Sequence, residues 1–571
     1  MSTVIVRRHA PVLPELPVSP LLRRIYAHRG ITSPEDLEHG LKKLPAPDAL
    51  RGIDRAVGLL ETALREARRM LIVADYDADG ATSCALAVRA LTALGAADVR
   101  FVVPNRFEYG YGLTPEIVEL AAAEQPDLLI TVDNGIASLD GVAAARERGM
   151  RVLITDHHLP GAVLPDADAI VNPNQPDDGF PSKHLAGVGV IFYVLLALRA
   201  RLRESDWFTQ RGIEEPDMRR FLDLVAFGTV ADVVPLDRVN RLLIAQGLKR
   251  IRAGRSQPGI TALCEIARRN PATLTARDIG FFVAPRLNAA GRLEDMALGI
   301  RCLLSDDPAE ARRIAADLDR LNRERRDIEG EMLNHALNQI DDRLRGELPF
   351  GLCLYDAGWH QGVIGILAAR VRERTHRPVI AFAPERDGWI KGSARSVPGL
   401  HVRDALDAVA TRHPGLIRKF GGHAMAAGLS LEHDRLDDFQ AAFDAEVRRH
   451  LAAEDLQGVL HSDGELTPGE LCLAVAEELR EAGPWGQQFP EPLFDGTFEI
   501  VSGQVLKEQH LKLVLCPPAN STIVDAIAFN RAAEFGRPEP GRRVRIAYRL
   551  DVNEWRGRRS VQLIVEHIEP G

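Results

Sequence analysis

The chain has 571 residues, 46% hydrophobic content and a formal net charge of −9, which suffices for several domains with separate cores and does not indicate a globally basic nucleic-acid binder. Its six cysteines are scattered without a CxxC pair, which argues against a disulfide framework or a cysteine zinc site and fits a reducing compartment. The N-terminus lacks an apolar stretch of signal-peptide length, and no segment approaches ~20 uninterrupted apolar residues, so we expect a soluble, cytoplasmic protein without a membrane partner.

Residues 1–45 are expected to form a weakly helical N-terminal segment. Beyond it, short apolar runs alternate with helical stretches, a pattern that predicts an α/β fold with a doubly wound parallel sheet. We assign this sheet and the largely helical region after it to a domain of residues 46–304. The predicted strands are Met70–Ala74, Val99–Val103, Leu128–Val132 and Val152–Thr155.

Residues 305–345 are predicted to form one long connecting helix, because their apolar residues recur at spacings of three, four or seven along one face. Ser305 is its expected cap, and Gly330 could break it into two. A second α/β domain is expected at 346–455. Residues 456–571 predict a small closed barrel of the OB type. Its predicted strands are Phe498–Val501, Leu511–Leu515, Ile523–Ala528, Val544–Leu550 and Ser560–Val565.

Acidic and histidine side chains follow three of the four predicted sheet strands. Since the carboxyl ends of parallel strands share one edge of a sheet, we expect these side chains to converge. Carboxylates so close repel one another unless cations neutralise them, and such sites with one or two imidazoles suit Mn²⁺ or Mg²⁺ better than Zn²⁺. Asp232 is a further candidate, because the apolar run Leu224–Phe227 leads into it. The side chains after the strands are Asp75, Asp77, Asp79, Asp133, Asp156, His157 and His158.

Each motif alone also has a structural explanation. DYDADG could be a calcium loop or a turn, but an EF-hand loop needs a glutamate at its twelfth position, where this chain has Leu86. The Asp-His-His triplet alone could be a surface turn. Their joint occurrence at successive predicted strand ends instead favours a metal-dependent phosphoesterase.

Several segments also resemble known family motifs. DYDADGATS, TVDNGI, ITDHH and GTVADVVPL, in that order, resemble the four motifs of the DHH phosphoesterase superfamily, and KGSARS and GGHAMAAG resemble its DHHA1 domain. PRLNAAGRLEDM, WHQGVIGILAARV and the β-rich C-terminus resemble the RecJ family of single-strand-specific 5′→3′ exonucleases. This resemblance covers about residues 45–571. It implies a metal-dependent exodeoxyribonuclease that releases 5′-mononucleotides from single-stranded DNA during DNA repair and recombination.

The resemblance also implies two bound ions, Mn²⁺ or Mg²⁺. Two ions about 4 Å apart can activate the attacking water and clamp the scissile phosphate. Catalytic roles are expected for Asp133 as the central bridge, for His158 as a contact to the phosphate, and for Asp75 as an orienting group or a direct ligand. The expected metal ligands are Asp77, Asp79, Asp133, His157 and Asp232.

Arginine forks together with hydroxyl and backbone donors could grip a terminal 5′-phosphate, although a surface ion pair is the alternative for any one arginine. Seven arginines between Arg542 and Arg559, with Tyr548 and Trp555, predict a single-strand track of cations and stacking rings, with a solvated strand face as the alternative. The expected substrate contacts are Arg106, Arg286, Asn288, Arg292, His360, Gln361, Ser393, Arg395, Gly422 and His423.

Two other functions stay open at this stage. A small DHH phosphodiesterase for very short oligonucleotides or cyclic dinucleotides would need neither the β-rich domain nor the PRLNAAGR segment. A catalytically inactive scaffold, as among replication-fork relatives, would have lost metal ligands, whereas every expected position here is filled. By resemblance, the expected partners are single-stranded DNA, single-strand-binding protein and a DNA helicase.

Overall fold

A computed structural model describes residues 3–9, 12–105, 109, 112–343, 348–518 and 522–571. The chain forms two compact units. The larger unit comprises Arg8–Asn322 and Asp463–Gly571, and the smaller unit comprises Met1–Arg7 and Arg323–Ser462. Among the described residues, no helix is long and apolar enough to cross a membrane.

The larger unit contains the predicted parallel sheet, with one more strand than the sequence pattern indicated. All neighbouring strands are parallel. Met70 and Ile72 pack on one face of the sheet, whereas Leu71 and Val73 pack on the other, so helices cover both faces, as a doubly wound fold requires. The strands, in spatial order, are Asp98–Val102, Arg69–Ala74, Leu128–Val132, Arg151–Thr155 and Ala169–Val171.

Helices account for most of the remaining chain in this unit. Between Ala276 and Leu293 the helical path includes one π-helical segment, Ile279–Val283. The α-helices are Pro20–Ala27, Ile53–Arg65, Ala78–Ala93, Pro115–Ala123, Leu139–Glu147, Gly187–Glu204, Trp207–Arg211, Leu222–Ala231, Arg238–Arg252, Pro258–Ile266, Ala276–Asp278, Ala284–Leu293, Ala297–Leu304, Leu473–Glu481 and Ala532–Phe535.

The C-terminal part of the larger unit is a closed five-stranded barrel, which confirms the predicted OB-like architecture. Val524–Ala528 pairs in parallel with the last strand, and the other pairs are antiparallel. Tyr548 is fully buried in the barrel core, so its prediction as an exposed stacking ring is wrong. It lies in phase with Ile546 and Leu550, which also face inward. The strands, in spatial order, are Phe494–Leu506, His510–Cys516, Val524–Ala528, Arg558–Pro570 and Arg543–Trp555.

The smaller unit contains a mixed five-stranded sheet with the helices Ile364–Thr375, Val402–Arg412 and Leu436–His450. The N-terminal strand Thr3–Arg7, which the sequence pattern did not predict, pairs in parallel with Gly458–Ser462. The sheet strands, in spatial order, are Lys419–Gly422, Ala426–Glu432, Trp389–Arg395, Val379–Pro384 and Leu352–Tyr355.

The predicted connecting helix is continuous from Pro308 to Arg343 and passes through Gly330 without a break. The prediction that Ser305 caps this helix is wrong. The Asp307 carboxylate instead accepts the backbone N–H of Ala309 at 2.9 Å, as a helix cap does.

Candidate metal centre

The first acidic loop joins strand Arg69–Ala74 to helix Ala78–Ala93. Asp77 caps this helix, since its Oδ1 accepts the backbone N–H groups of Asp79 at 2.9 Å and of Gly80 at 3.0 Å. Asp79 is fully buried, and its carboxylate accepts the N–H groups of Gly187 at 2.6 Å and Val188 at 3.0 Å. The capping geometry therefore fixes both carboxylates in one turn of chain.

Asp133 ends the central strand of the sheet with φ at +64°, a conformation that residues other than glycine rarely adopt. Its side chain is buried, and a Cβ atom at Gly187 would lie 2.6 Å from its Oδ1. Only glycine at 187 therefore leaves room for this carboxylate. Backbone strain at a buried acid is a common feature of functional sites.

The Asp-His-His triplet follows the fourth strand. Asp156 is buried and accepts the N–H groups of Ile136 at 2.9 Å and of both histidines. Its Oδ1 also lies 2.8 Å from Nδ1 of His158, so Asp156 orients the His158 ring. Asp156 had no predicted role of its own, although its place in the triplet was the available signal.

Asp232 reaches the same site from a helix rather than from a strand. The apolar run that leads into it lies in the buried helix Leu222–Ala231, whose C-cap is Asp232. Its Oδ2 lies 3.5 Å from Nε2 of His157, and Oδ1 of Asp133 lies 3.1 Å from the same nitrogen. The structure thus brings Asp232 together with the predicted strand-end residues.

These side chains form three overlapping groups in which one ligand atom per residue lies within 4.8 Å of the others. Asp133 and His157 each belong to two of them. The groups are Asp133, His157 and His158; Asp79, His157 and Asp232; and Asp75, Asp77 and Asp133.

The carboxylates are held in an environment that disfavours their charge. Burial raises the pKa of Asp79 well above its usual value, and the charges of Asp232 and Asp77 raise it further. Burial also raises the pKa of Asp133, and the neighbouring carboxylates, with Asp79 foremost, add to the effect. Such a cluster is electrostatically unfavourable by itself and is stabilised by cations.

The two histidines differ in charge. Burial lowers the pKa of His157, which leaves its ring neutral and able to act as a ligand. Burial would also lower the pKa of His158, but the hydrogen bond and the negative charge of Asp156 raise it to about 9. The site therefore contains one neutral imidazole and one cationic imidazole near neutral pH.

The residues present fit a divalent metal. Oδ1 of Asp133, Nε2 of His157 and Oδ2 of Asp232 are buried and make no hydrogen bond among the described residues. The two oxygens lie 3.1 and 3.5 Å from the His157 nitrogen. Buried polar atoms without partners are costly, and oxygen-rich sites with one imidazole suit Mn²⁺ or Mg²⁺.

The expected substrate contacts in the larger unit have differing surroundings. Arg106 lies outside the described residues. Nε of Arg286 lies 2.9 Å from Asp319, so its guanidinium is engaged within the protein. Asn288 accepts the backbone N–H of Ala78, and Arg292 is partly buried near the end of helix Ala284–Leu293.

The remaining expected contacts lie in the smaller unit. The guanidinium of Arg395 donates to Oγ of Ser393 at 3.1 Å, which joins these two residues into one polar cluster on strand Trp389–Arg395. Nδ1 of His360 accepts the N–H of Gly362 at 3.1 Å, and the Gln361 side chain donates to the carbonyl of Pro384 at 2.5 Å. Gly422 has φ at +143°, and the N–H of His423 donates to the carbonyl of Ala426.

The predicted arginine track divides into two sets. Arg549 is largely buried and pairs with Glu491 at 2.8 Å and Glu566 at 2.5 Å, so it belongs to the barrel's internal ion pairs. By contrast, Trp555 and Arg558 are exposed at the tip of the last hairpin. The hairpin tip thus retains the expected combination of cations and an aromatic ring.

A cavity of about 920 Å³ lies between helices of the larger unit and the barrel, and none of the clustered acids lines it. Its lining mixes both charges, with Lys249, Arg268 and Arg269 beside Glu491 and Asp551. This cavity is therefore separate from the candidate metal centre.

Three parts of the chain match known domain families. Residues 69–229 match the DHH family, N-terminal domain, residues 349–449 match the DHHA1 domain, and residues 462–567 match the RecJ OB domain. The parallel sheet, the acid and histidine cluster and these matches define a phosphoesterase of the DHH class.

Whole-chain comparisons narrow this class. The chain is 55% identical to the single-stranded-DNA-specific exonuclease RecJ of Dickeya dadantii (strain 3937), over 99% of both chains. It is also similar to two crystal structures of RecJ from Thermus thermophilus, one in complex with Mn²⁺ (TM-score 0.80, 33% identity, 97% of this chain and 76% of that chain) and one with Mg²⁺ (0.74, 31%, 97% and 75%). The chain belongs to the RecJ family, which confirms the resemblance of its motifs.

Proposed function

We propose that this protein is a metal-dependent exodeoxyribonuclease that degrades single-stranded DNA from the 5′ end and releases 5′-mononucleotides. The observation that carries the proposal is the approach of Oδ1 of Asp133 and Oδ2 of Asp232 to Nε2 of His157, at 3.1 and 3.5 Å, although all three atoms lack hydrogen bonds among the described residues. Membership of the RecJ family supports single-stranded DNA as the substrate. We also propose that the chain has three main domains, which comprise residues 46–304, 346–455 and 456–571.

Two ions, Mn²⁺ or Mg²⁺, would be held by five residues. The proposal is supported by the three overlapping groups of ligand atoms and by the Mn²⁺ and Mg²⁺ bound in the Thermus relatives. Asp133 and His157 each belong to two groups, and Asp133, whose carboxylate offers two oxygens, would be the ligand shared by both ions. The five residues are Asp77, Asp79, Asp133, His157 and Asp232.

When bound, the ions would acidify an attacking water and neutralise charge on the scissile phosphate. The chain's own residues would then position the reaction. His158, held by Asp156 at 2.8 Å, would donate from its other ring nitrogen to a phosphate oxygen. Asp75, whose Oδ1 accepts the N–H of Tyr76 at 2.7 Å, would hold the ligand loop in place.

The exposed hairpin tip of the barrel would hold the strand through its phosphates and one stacked base, and Ser393 with Arg395 would recognise a terminal 5′-phosphate. The six cysteines are all unpaired, which supports a reducing, cytoplasmic location. The resemblance of the motifs supports single-strand-binding protein and a helicase as partners, and DNA repair and recombination as the process.

The two alternative functions make different predictions. A phosphodiesterase for very short oligonucleotides would not need the RecJ OB domain matched at residues 462–567. An inactive scaffold would not need the complete cluster of acids and His157. Neither alternative accounts for both features.

One experiment separates the three functions. Single strands of two to fifty nucleotides with a labelled 5′ end are incubated with and without Mn²⁺, and the products are resolved by length. We expect labelled mononucleotides from long strands in Mn²⁺ only. Activity on dinucleotides alone would favour the small phosphodiesterase, and binding without hydrolysis in Mn²⁺ would favour the scaffold.

A further inference from the structure

The helix Ala284–Leu293, which carries the PRLNAAGR segment, lies directly against the first acidic loop. Oδ1 of Asn288 accepts the backbone N–H of Ala78 at 2.8 Å. One helical turn further, a Cβ atom at Gly291 would lie 1.8 Å from the carbonyl oxygen of Tyr76. Two residues of one helix face therefore hold the loop on either side of Asp77.

The hydrogen bond from Ala78 to Asn288 matters because the backbone N–H groups at the start of this helix need acceptors. The first N–H groups of a helix have no acceptor within the helix itself. Oδ1 of Asp77 already accepts from Asp79 and Gly80, and Asn288 supplies the acceptor for Ala78 from 210 residues away in the sequence. Without Asn288, the N–H of Ala78 would compete for the Asp77 carboxylate.

We infer that Asn288 is a positioning residue for the metal ligands and not a contact to the DNA phosphates. By accepting the Ala78 N–H, it leaves the second carboxylate oxygen of Asp77 available to an ion in the group with Asp75 and Asp133. Residues that hydrogen-bond to metal ligands without touching the metal typically lower metal affinity ten- to a hundredfold when they are removed. This inference rests on the proposed function, since it requires that the acidic cluster bind metal.

The test measures metal and DNA binding separately. Mn²⁺ affinity is measured without DNA from the electron paramagnetic resonance signal of free Mn²⁺, and DNA affinity is measured without metal by fluorescence anisotropy of a labelled single strand. For Asn288→Ala we expect Mn²⁺ affinity to fall roughly ten- to a hundredfold and DNA affinity to stay unchanged. Asn270→Ala is the matched control, because Asn270 accepts a local N–H from Ala272 at 3.0 Å on the surface, and it should change neither quantity.

Asn288→Asp distinguishes positioning from phosphate contact. An aspartate keeps an acceptor for Ala78, so Mn²⁺ affinity should recover relative to Asn288→Ala. If Asn288 contacted phosphate, its negative charge would instead weaken DNA binding beyond the alanine variant, and that result would overturn the inference.

Unchanged Mn²⁺ affinity in Asn288→Ala would also overturn the inference, while leaving the proposed function intact. Failure of the proposed function would look different, because the wild-type protein would then either bind no Mn²⁺ or bind it as well as the Asp133→Asn variant does.

Should Asn288→Ala fail to fold, as judged by circular dichroism, the inference is tested with Asn288→Asp and with Gly291→Ala. The added methyl group of Gly291→Ala must displace the Tyr76 carbonyl, and we expect it to weaken Mn²⁺ binding as well.

Discussion

Oδ1 of Asp133 lies 3.1 Å from Nε2 of His157, yet neither atom makes a hydrogen bond in the described part of the chain. Asp133 is held there by local structure, since it has a positive φ and lies close to Gly187. The chain thus folds around buried, mutually repulsive carboxylates, a cost that the binding energy of cations would offset.

The first prediction concerns this shared carboxylate. Asp133→Asn should lower cleavage of single-stranded DNA at least a hundredfold, because it removes a ligand common to both ion positions. It should also raise the melting temperature of the metal-free protein, since it removes a buried negative charge beside Asp79. Asparagine tolerates the positive φ at this position, so the backbone is expected to stay in place.

Asp140→Ala is a suitable control, because Asp140 is exposed in the first turn of helix Leu139–Glu147. Cleavage is followed in Mn²⁺ by product release, and stability is followed by calorimetry in a chelator. Near-normal cleavage by Asp133→Asn would show that Asp133 does not bridge the ions.

The acidic cluster could be predicted from the sequence because its signals are local. Each strand of the sheet is a short apolar run, and Asp75, Asp133 and Asp156 follow such runs directly. The rule that parallel strand ends share an edge then gives their convergence. Asp232 could be found from the apolar run before it although it ends a helix, since a fully buried helix and a buried strand have the same apolar composition.

Contacts between distant segments could not be predicted in this way. The pairing of Thr3–Arg7 with Gly458–Ser462 and the hydrogen bond from Ala78 to Asn288 join residues far apart in sequence. Neither contact has a local signature, because the strand pairing joins backbone groups that every residue has and the Asn288 side chain lies 210 residues from Ala78. Tyr548 is a different case, since its two-residue phase with Ile546 and Leu550 was present in the sequence and indicated a buried ring.

A second prediction concerns a buried ion pair. Asp463 accepts from Arg29, with Nη2 at 2.8 Å from Oδ2, and its Oδ1 lies 2.8 Å from Nδ1 of His28. Both members of the Arg29–Asp463 pair are almost completely inaccessible to solvent. Asp463→Asn should therefore lower the free energy of unfolding by about 3–5 kcal/mol, because it leaves the Arg29 charge buried without a partner.

This loss should depend on pH. Burial alone would raise the pKa of Asp463, but its hydrogen bonds with His28 and Arg29 hold the pKa below its usual value. A carboxyl whose pKa is lower in the folded state stabilises the protein above the unfolded pKa of about 3.9 and loses this effect as pH falls through the folded pKa. Denaturant titrations should thus show wild type and variant diverging above about pH 4 and converging below it.

The control for this prediction is Glu61→Gln. Glu61 pairs with Arg65 at 2.7 Å and with Arg201 at 3.7 Å on a partly exposed helix face, and its loss should cost no more than about 1 kcal/mol. Equal losses from both variants would contradict the assignment of Arg29–Asp463 as a stabilising buried pair.

The third prediction compares two arginines of the barrel. Arg558 is exposed at the hairpin tip, so Arg558→Ala should weaken binding of all single strands alike and reduce the slope of log affinity against log salt by about 1. Arg549 pairs with Glu491 and Glu566, so Arg549→Ala should instead lower the free energy of unfolding by about 1–3 kcal/mol. Anisotropy titrations at several salt concentrations and thermal unfolding of both variants distinguish the two roles. An unchanged salt slope in Arg558→Ala would place the DNA elsewhere.

The last prediction concerns recognition of the 5′ end. Arg395 and Ser393 are hydrogen-bonded to each other at 3.1 Å, which holds the guanidinium and the hydroxyl side by side. A charge-assisted hydrogen bond contributes about 1.5–3 kcal/mol, so Arg395→Ala should weaken the binding of 5′-phosphorylated strands roughly ten- to a hundredfold. The binding of 5′-hydroxyl strands should weaken far less. Arg435→Ala, which removes an exposed arginine paired with Asp438 at 3.0 Å, should affect neither strand. The apparent affinities of both strands are measured in parallel for each variant. If Arg395→Ala keeps the wild-type preference for a 5′-phosphate, Arg395 does not bind the strand end.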